Sequence, residues 1–181
     1  MKAFMLAGVV VALLVVGVRA DDGPKPATPQ KEHEWLKQLE GEWVTEMEAT
    51  MAPGQKPEKG KGTESARSLG GLWVVSELKT ECMGQTMTGL MTVGYDTAKK
   101  RYVGTWVCSA CDQKFEYVGS VSGQTLTLET EGPNPADPKK TVKMKDVVEL
   151  KDKDTKVLTS LMQGEDGKWV TFMTLTAKRK K

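Results

Sequence analysis

Histidine is almost missing from this sequence: His33 is the only one in 181 residues. That excludes a multi-histidine zinc or iron site and any H-E-x-x-H arrangement. A Ser-His-Asp triad would have to use His33, and no nucleophile-elbow sequence accompanies it. His33 reads instead as an exposed or capping residue at the start of a short helix. Cysteine is also scarce, with Cys82, Cys108 and Cys111 making up the set of three. A zinc ribbon needs two pairs, so it is excluded. There is no phosphate-cradling loop, because Gly70-Gly71 lacks the following Lys-Ser/Thr and helix. Asp152-Lys153-Asp154 and Glu165-Asp166-Gly167 have the wrong offsets for a calcium loop and read as turns. The carboxylates in general fall at surface-like positions. No cofactor and no metal is expected.

Long apolar runs are confined to the N-terminus. Lys2 precedes an apolar stretch from Ala3 to Val16, broken only by Gly8. It ends at Gly17-Val18-Arg19-Ala20, ahead of Asp21-Asp22. This is the pattern of a signal peptide over 1–20, with the mature chain starting at Asp21. The run is short of the ~20 residues that a membrane span needs. Export to the periplasm or beyond is therefore expected, with no membrane span in the mature chain.

Charge of one sign is lacking too. The chain has 26 basic and 24 acidic residues, and removing Lys2 and Arg19 leaves 24 against 24. A net charge near zero gives no steer toward nucleic acid or any other charged partner. The one basic cluster, Lys178-Arg179-Lys180-Lys181, is a terminal run of the kind that is usually solvated.

What is present is period-two alternation. Residues 21–31 carry Pro24, Pro26 and Pro29 and read as a flexible linker to a single domain over 32–181. Trp35, Leu36 and Leu39 mark one face of a short helix stopped by Gly41. From Trp43 to Met51 the pattern becomes that of a half-buried strand, broken by Pro53-Gly54. Further strands are predicted over 63–69, 72–80, 85–95, 101–108, 114–121, 124–131, 141–151, 155–163 and 168–177. All eight prolines are expected to fall in the linker or in loops. About ten strands joined by tight turns imply an all-β, up-and-down antiparallel meander. Such a meander protects its edges most simply by closing into a barrel. A two-sheet sandwich is the alternative.

Several segments carry a family resemblance. Gly41-Glu42-Trp43, directly after the short helix, resembles the G-x-W signature of lipocalin-like (calycin) barrels. His33-Glu34-Trp35-Leu36, Arg67-Ser68-Leu69-Gly70-Gly71-Leu72-Trp73, Gly94-Tyr95-Asp96, Lys99 to Trp106, Leu126 to Glu129 and Glu131-Gly132-Pro133 add to it. In this order they resemble the bacterial family called domain of unknown function 1579. The resemblance implies a lipocalin-like barrel and brings no catalytic residues. It also implies that an Arg near the last strand stacks over the Trp of G-x-W. Arg179 is the candidate for that contact with Trp43, against the reading of a plain basic tail. Gly41 would let the chain turn tightly into the barrel. Where the resemblance predicts a polar stretch, the chain has Cys108-Ser109-Ala110-Cys111-Asp112.

Cys108 and Cys111 are spaced to meet in a tight turn. Such a pair forms a disulfide, attacks one, or donates two metal ligands. Export favours a structural disulfide. Thioredoxin-like chemistry belongs at a helix start in a βαβ setting, which is absent here. Cys82 is a small buried hydrophobe or a free thiol beside Met83-Gly84.

Methionine is abundant. Met47 and Met51 share a face with Trp43, and Met87 and Met91 share one with Val93 and Tyr95. Met144 lies with Val142, Val148 and Leu150 on a face that Asp146 interrupts. These residues are either ordinary core or the wall of a deformable apolar cavity. The cavity reading takes Trp43, Met47, Met87, Met91, Tyr102, Trp106, Met144 and Met173 as its lining. The function that follows is non-enzymatic binding of a small apolar or amphipathic molecule. The alternatives are a ligand-free structural or interaction module of the cell envelope, and a thiol redox or metal-binding protein using the C-x-x-C.

Overall fold

The computed structural model describes residues 26–50, 55–82, 84–134 and 137–181. The expected signal peptide, the first part of the linker, Met51, Pro53-Gly54 and Met83 lie outside the described residues. Helix α1 (Lys31–Leu36) is followed by a tighter turn over Lys37–Leu39. Its N-terminus is closed reciprocally: the Gln30 amide donates to His33 Nδ1 at 2.9 Å, while the Gln30 backbone carbonyl accepts from the His33 amide at 2.9 Å. His33 is thus a capping residue, but a buried one, set edge-on to Tyr95 with ring centroids 5.8 Å apart.

Ten antiparallel strands follow in chain order and close into one barrel. They are β1 (Gly41–Ala49), β2 (Glu58–Leu69), β3 (Trp73–Cys82), β4 (Gln85–Asp96) and β5 (Arg101–Cys108). The second half comprises β6 (Phe115–Ser122), β7 (Thr125–Asn134), β8 (Asp137–Asp152), β9 (Thr155–Gln163) and β10 (Trp169–Arg179). Each strand pairs with its neighbour in sequence, and β10 returns to β1 with Trp43 opposite Arg179. Closure pairs both edges of the meander, so no edge is left open. The fold is the all-β up-and-down barrel expected from the alternation, rather than a sandwich.

The main difference from the sequence reading lies in strand starts. β2 begins at Glu58 rather than Thr63, and β8 at Asp137 rather than Thr141; β7 also runs on to Asn134, so Pro133 and Pro138, expected in a loop, lie near the joined ends of β7 and β8. Lys59-Gly60-Lys61-Gly62 looks like a loop because it has no apolar alternation. Gly60 and Gly62 nevertheless stand opposite Met47 and Thr45 in the β1 ladder. A Cβ on Gly62 would lie 2.0 Å from the Lys79 carbonyl oxygen, so the close strand approach there requires glycine.

Up-and-down topology sorts the turns to the two ends. The turns at 70–72, 97–100, 123–124 and 153–154 share an end with α1. The helix is fixed there by Trp35 Nε1 donating to the Gly123 carbonyl at 2.9 Å and Tyr102 Oη donating to the Glu32 carbonyl at 3.0 Å. Leu36 and Leu39 drop from the helical segment into the core beside Val74, Val93, Leu126 and Leu128. The opposite end carries the hairpin of Cys108 and Cys111, the β9–β10 turn, the last residues of β1 and β3 and the first of β2 and β4. One end of the barrel is plugged, and the other is its mouth.

Candidate functional site

Period-two alternation sends every second side chain of each strand inward. In this barrel those side chains do not fill the interior: a cavity of about 380 Å³ remains. That is within the ~300–1,000 Å³ range of small-molecule sites. Its floor is Leu39, below the helix, and its walls include Met47, Met87, Met91, Met144 and Met173. Trp106 and Phe115, opposite one another on β5 and β6, add aromatic faces. Both rings lie over glycines. A Cβ on Gly89 would sit 2.0 Å from the Trp106 ring, and one on Gly132 would sit 2.4 Å from the Phe115 ring. The two glycines let the rings rest against the wall and keep the centre open.

Two polar clusters interrupt this apolar wall. In the first, Glu64 of β2 accepts from Lys156 Nζ at 2.8 Å and from Ser76 Oγ at 2.6 Å. Lys156 is only 6% exposed, and burial pulls its ammonium below the ordinary lysine value while Glu64 holds it up. Lys156 Nζ also lies 4.4 Å from the Trp43 ring centroid. In the second cluster, Asp146 of β8 accepts from Ser160 Oγ at 2.5 Å and is hydrogen-bonded by the Tyr117 hydroxyl. Burial pushes the Asp146 carboxyl above its usual range, with Ser160 and Tyr117 opposing the shift. Burial, followed by the Asp146 charge, drives the Tyr117 hydroxyl up as well. Asp146 keeps some surface, but as a lining residue it presents that surface to the cavity.

Residues 28–179 match the family described as Protein of unknown function (DUF1579). The chain belongs to that family. None of the curated proteins matches it. Among solved structures, the DUF1579 barrel resembles Rv2717c from M. tuberculosis with a TM-score of 0.58 and 12% identity, over 85% of this chain and 100% of that one. It also resembles the S-type phycobiliprotein lyase CPES from Guillardia theta with a TM-score of 0.57 and 12% identity, over 84% of this chain and 94% of that one. These are likenesses of fold.

Six of the residues named from the sequence line the cavity of this DUF1579 protein: Met47, Met87, Met91, Trp106, Met144 and Met173. Trp43 and Tyr102 do not. Trp43 is buried beneath the Glu64–Lys156 cluster, its Nε1 donating to the Leu39 carbonyl at 3.1 Å. Arg179 covers its ring, with Cζ 4.1 Å from the centroid. The same guanidinium donates to the Glu40 and Lys153 carbonyls at 2.7 and 3.1 Å. Gly41, at φ +125°, provides the space: a Cβ there would be 2.2 Å from Arg179 Nη1. Tyr102 faces the helix end instead, where burial pushes its hydroxyl up to about 12.

The surface-like reading of the carboxylates fails at Glu64 and Asp146. Each stands at an inward position of its strand, Glu64 in step with Ala66 and Asp146 in step with Met144 and Val148. Strand parity is the one local signal for both, and at Asp146 it shows as a break in the apolar face of Met144 and Val148. Cys108 and Cys111 sit at the mouth with their sulfurs 2.6 Å apart and not joined, and the Cys111 amide donates to the Cys108 carbonyl at 3.3 Å. Burial, with Cys108 close by, raises the Cys111 thiol. Among the described residues, no group of three or more His, Cys, Asp and Glu side chains is placed to hold a metal ion. Among them, too, no helix is long and apolar enough to cross a membrane, which says nothing of strands.

Proposed function

We propose that this protein is an exported, non-enzymatic carrier or sensor of a small amphipathic molecule held inside the barrel. The observation that carries this reading is the open interior: an apolar cavity closed at one end by α1 and Leu39 and edged with two hydrogen-bonding clusters. A barrel serving only as a structural module gains stability from a filled core, since each methyl-sized void costs about 1 kcal/mol. Here Gly89 and Gly132 hold Trp106 and Phe115 back from the centre. The apolar wall supplies binding energy, and the polar clusters fix orientation. The four lining methionines of β4, β8 and β10 adapt to the ligand's outline.

Intact mass of the protein purified from its exported fraction, taken native and then denatured, tests this. The reading predicts a small adduct in the native spectrum that is lost on denaturation, on a chain beginning at Asp21. A bare polypeptide under both conditions, together with no uptake of added amphiphiles, favours a ligand-free module instead.

A further inference from the structure

Asp146 has two neutral donors and no cation. Ser160 Oγ donates to it at 2.5 Å, and the Tyr117 hydroxyl is the other donor. Among the described residues, no Lys, Arg or His forms an ion pair with it. Lys156 is the sole basic side chain among the described residues lining the cavity, and it is already engaged. Glu64 holds it at 2.8 Å, and the Trp43 ring lies against it at 4.4 Å. The cavity therefore pairs one carboxylate internally and leaves the other unmatched.

That imbalance selects among occupants. A buried carboxylate without a counter-charge is costly, and two donors leave part of its acceptor capacity unused. A purely apolar guest would leave those acceptors dry. An anionic head would meet Asp146 and Glu64 and find Lys156 already paired. A guest with a protonated nitrogen supplies both the missing charge and the missing donors. The aromatic faces of Trp106 and Phe115 in the same wall also favour a cation over an anion.

We propose that the occupant is an amphipathic cation, an apolar body with one protonated nitrogen, and that this nitrogen is hydrogen-bonded to Asp146. This rests on the binding reading above and names its ligand class. Charge-assisted hydrogen bonds are the strong ones, so the nitrogen is what the cavity discriminates.

Calorimetric titration with three probes of equal chain length, decylammonium, decanol and decanoate, each below its aggregation threshold, tests the proposal. Decylammonium should bind about tenfold or more tightly than decanol, as a hydrogen bond to a charged group implies, and decanoate most weakly. Asp146→Asn, with its folded barrel verified by circular dichroism, should abolish the preference for the amine over decanol. If the amide does not fit, Asp146→Ser gives the same comparison with a smaller neutral side chain. Decanoate binding as tightly as decylammonium, or an amine preference that survives both substitutions, overturns the proposal while leaving the binding reading intact. Binding of none of the three overturns both.

Discussion

The Arg179 guanidinium lies over the Trp43 indole, 4.1 Å from its centroid, at the point where β10 closes onto β1. The terminal basic cluster is therefore not all solvated tail: its second residue seals the plugged end of the barrel. Arg179→Ala removes a cation–π contact and two hydrogen bonds to carbonyls, so the expected loss is about 1–3 kcal/mol. Arg179→Lys should recover only part of it, because an ammonium cannot cover the ring and reach both the Glu40 and Lys153 carbonyls. Urea denaturation of the two variants measures the difference.

Lys156 and Glu64 form a buried ion pair in the cavity wall. Lys156→Met alone leaves Glu64 buried without its partner and should cost about 3–5 kcal/mol. Lys156→Met with Glu64→Leu should regain most of that, because the pair is replaced by apolar side chains of similar size. A double-mutant cycle in urea gives the coupling; additive losses would show that the two side chains act independently.

The register shows why the fold was legible in the sequence and the polar clusters were not. Alternation and turn residues are local, so strands such as β4, β5 and β9 stand out within a few residues. Glu64 and Lys156 are 92 positions apart, and their meeting depends on barrel closure through β10. Tyr117, Asp146 and Ser160 come from β6, β8 and β9, with β7 between the first two. Nothing local distinguishes an inward Asp146 from a surface carboxylate except its step with Met144 and Val148. The Gly60–Gly62 segment was missed for a related reason: glycine carries no alternation signal, though close strand approach needs it.

Asp146 gives the stability a pH dependence of defined sign. Its folded value is raised above the ordinary 3.8, so the folded state keeps its proton longer than the unfolded chain does. Its contribution is fully present below about pH 3.8 and is lost as pH rises through the folded value. Tyr117, the titratable group facing it from β6, is raised and stays neutral through this window, and Ser160 of β9 does not titrate. Cys111 beside Tyr117 is raised as well, and Glu64 and Lys156 line the same cavity. Asp146→Asn should therefore gain stability relative to the parent as pH rises from the acid side toward neutrality. Thermal melts across that range measure it; a constant difference between the two proteins would contradict the assignment.

Cys108 and Cys111 are placed for oxidation at the mouth. With oxidised glutathione as the oxidant, the two thiols should join with loss of two hydrogens while the oxidant is reduced to its thiols. Cys82, on β3, should remain open to alkylation after unfolding. Mass spectrometry of the alkylated protein reads both results. Cys108→Ala should abolish the loss of hydrogens without changing ligand uptake, because neither cysteine lines the cavity.

An internal ligand site is tested most directly by titration with prodan, a compact neutral solvatochromic dye, of the parent protein and of Gly89→Val and Gly132→Val. These substitutions press the Trp106 and Phe115 rings into the open centre, because a Cβ at either glycine collides with the ring that lies over it. An open cavity should take up one dye per chain with strongly blue-shifted emission in the parent, and lose that binding in either variant that keeps its barrel circular-dichroism signature. Absence of a blue shift in the parent, or undiminished binding in both folded variants, would contradict an internal ligand site.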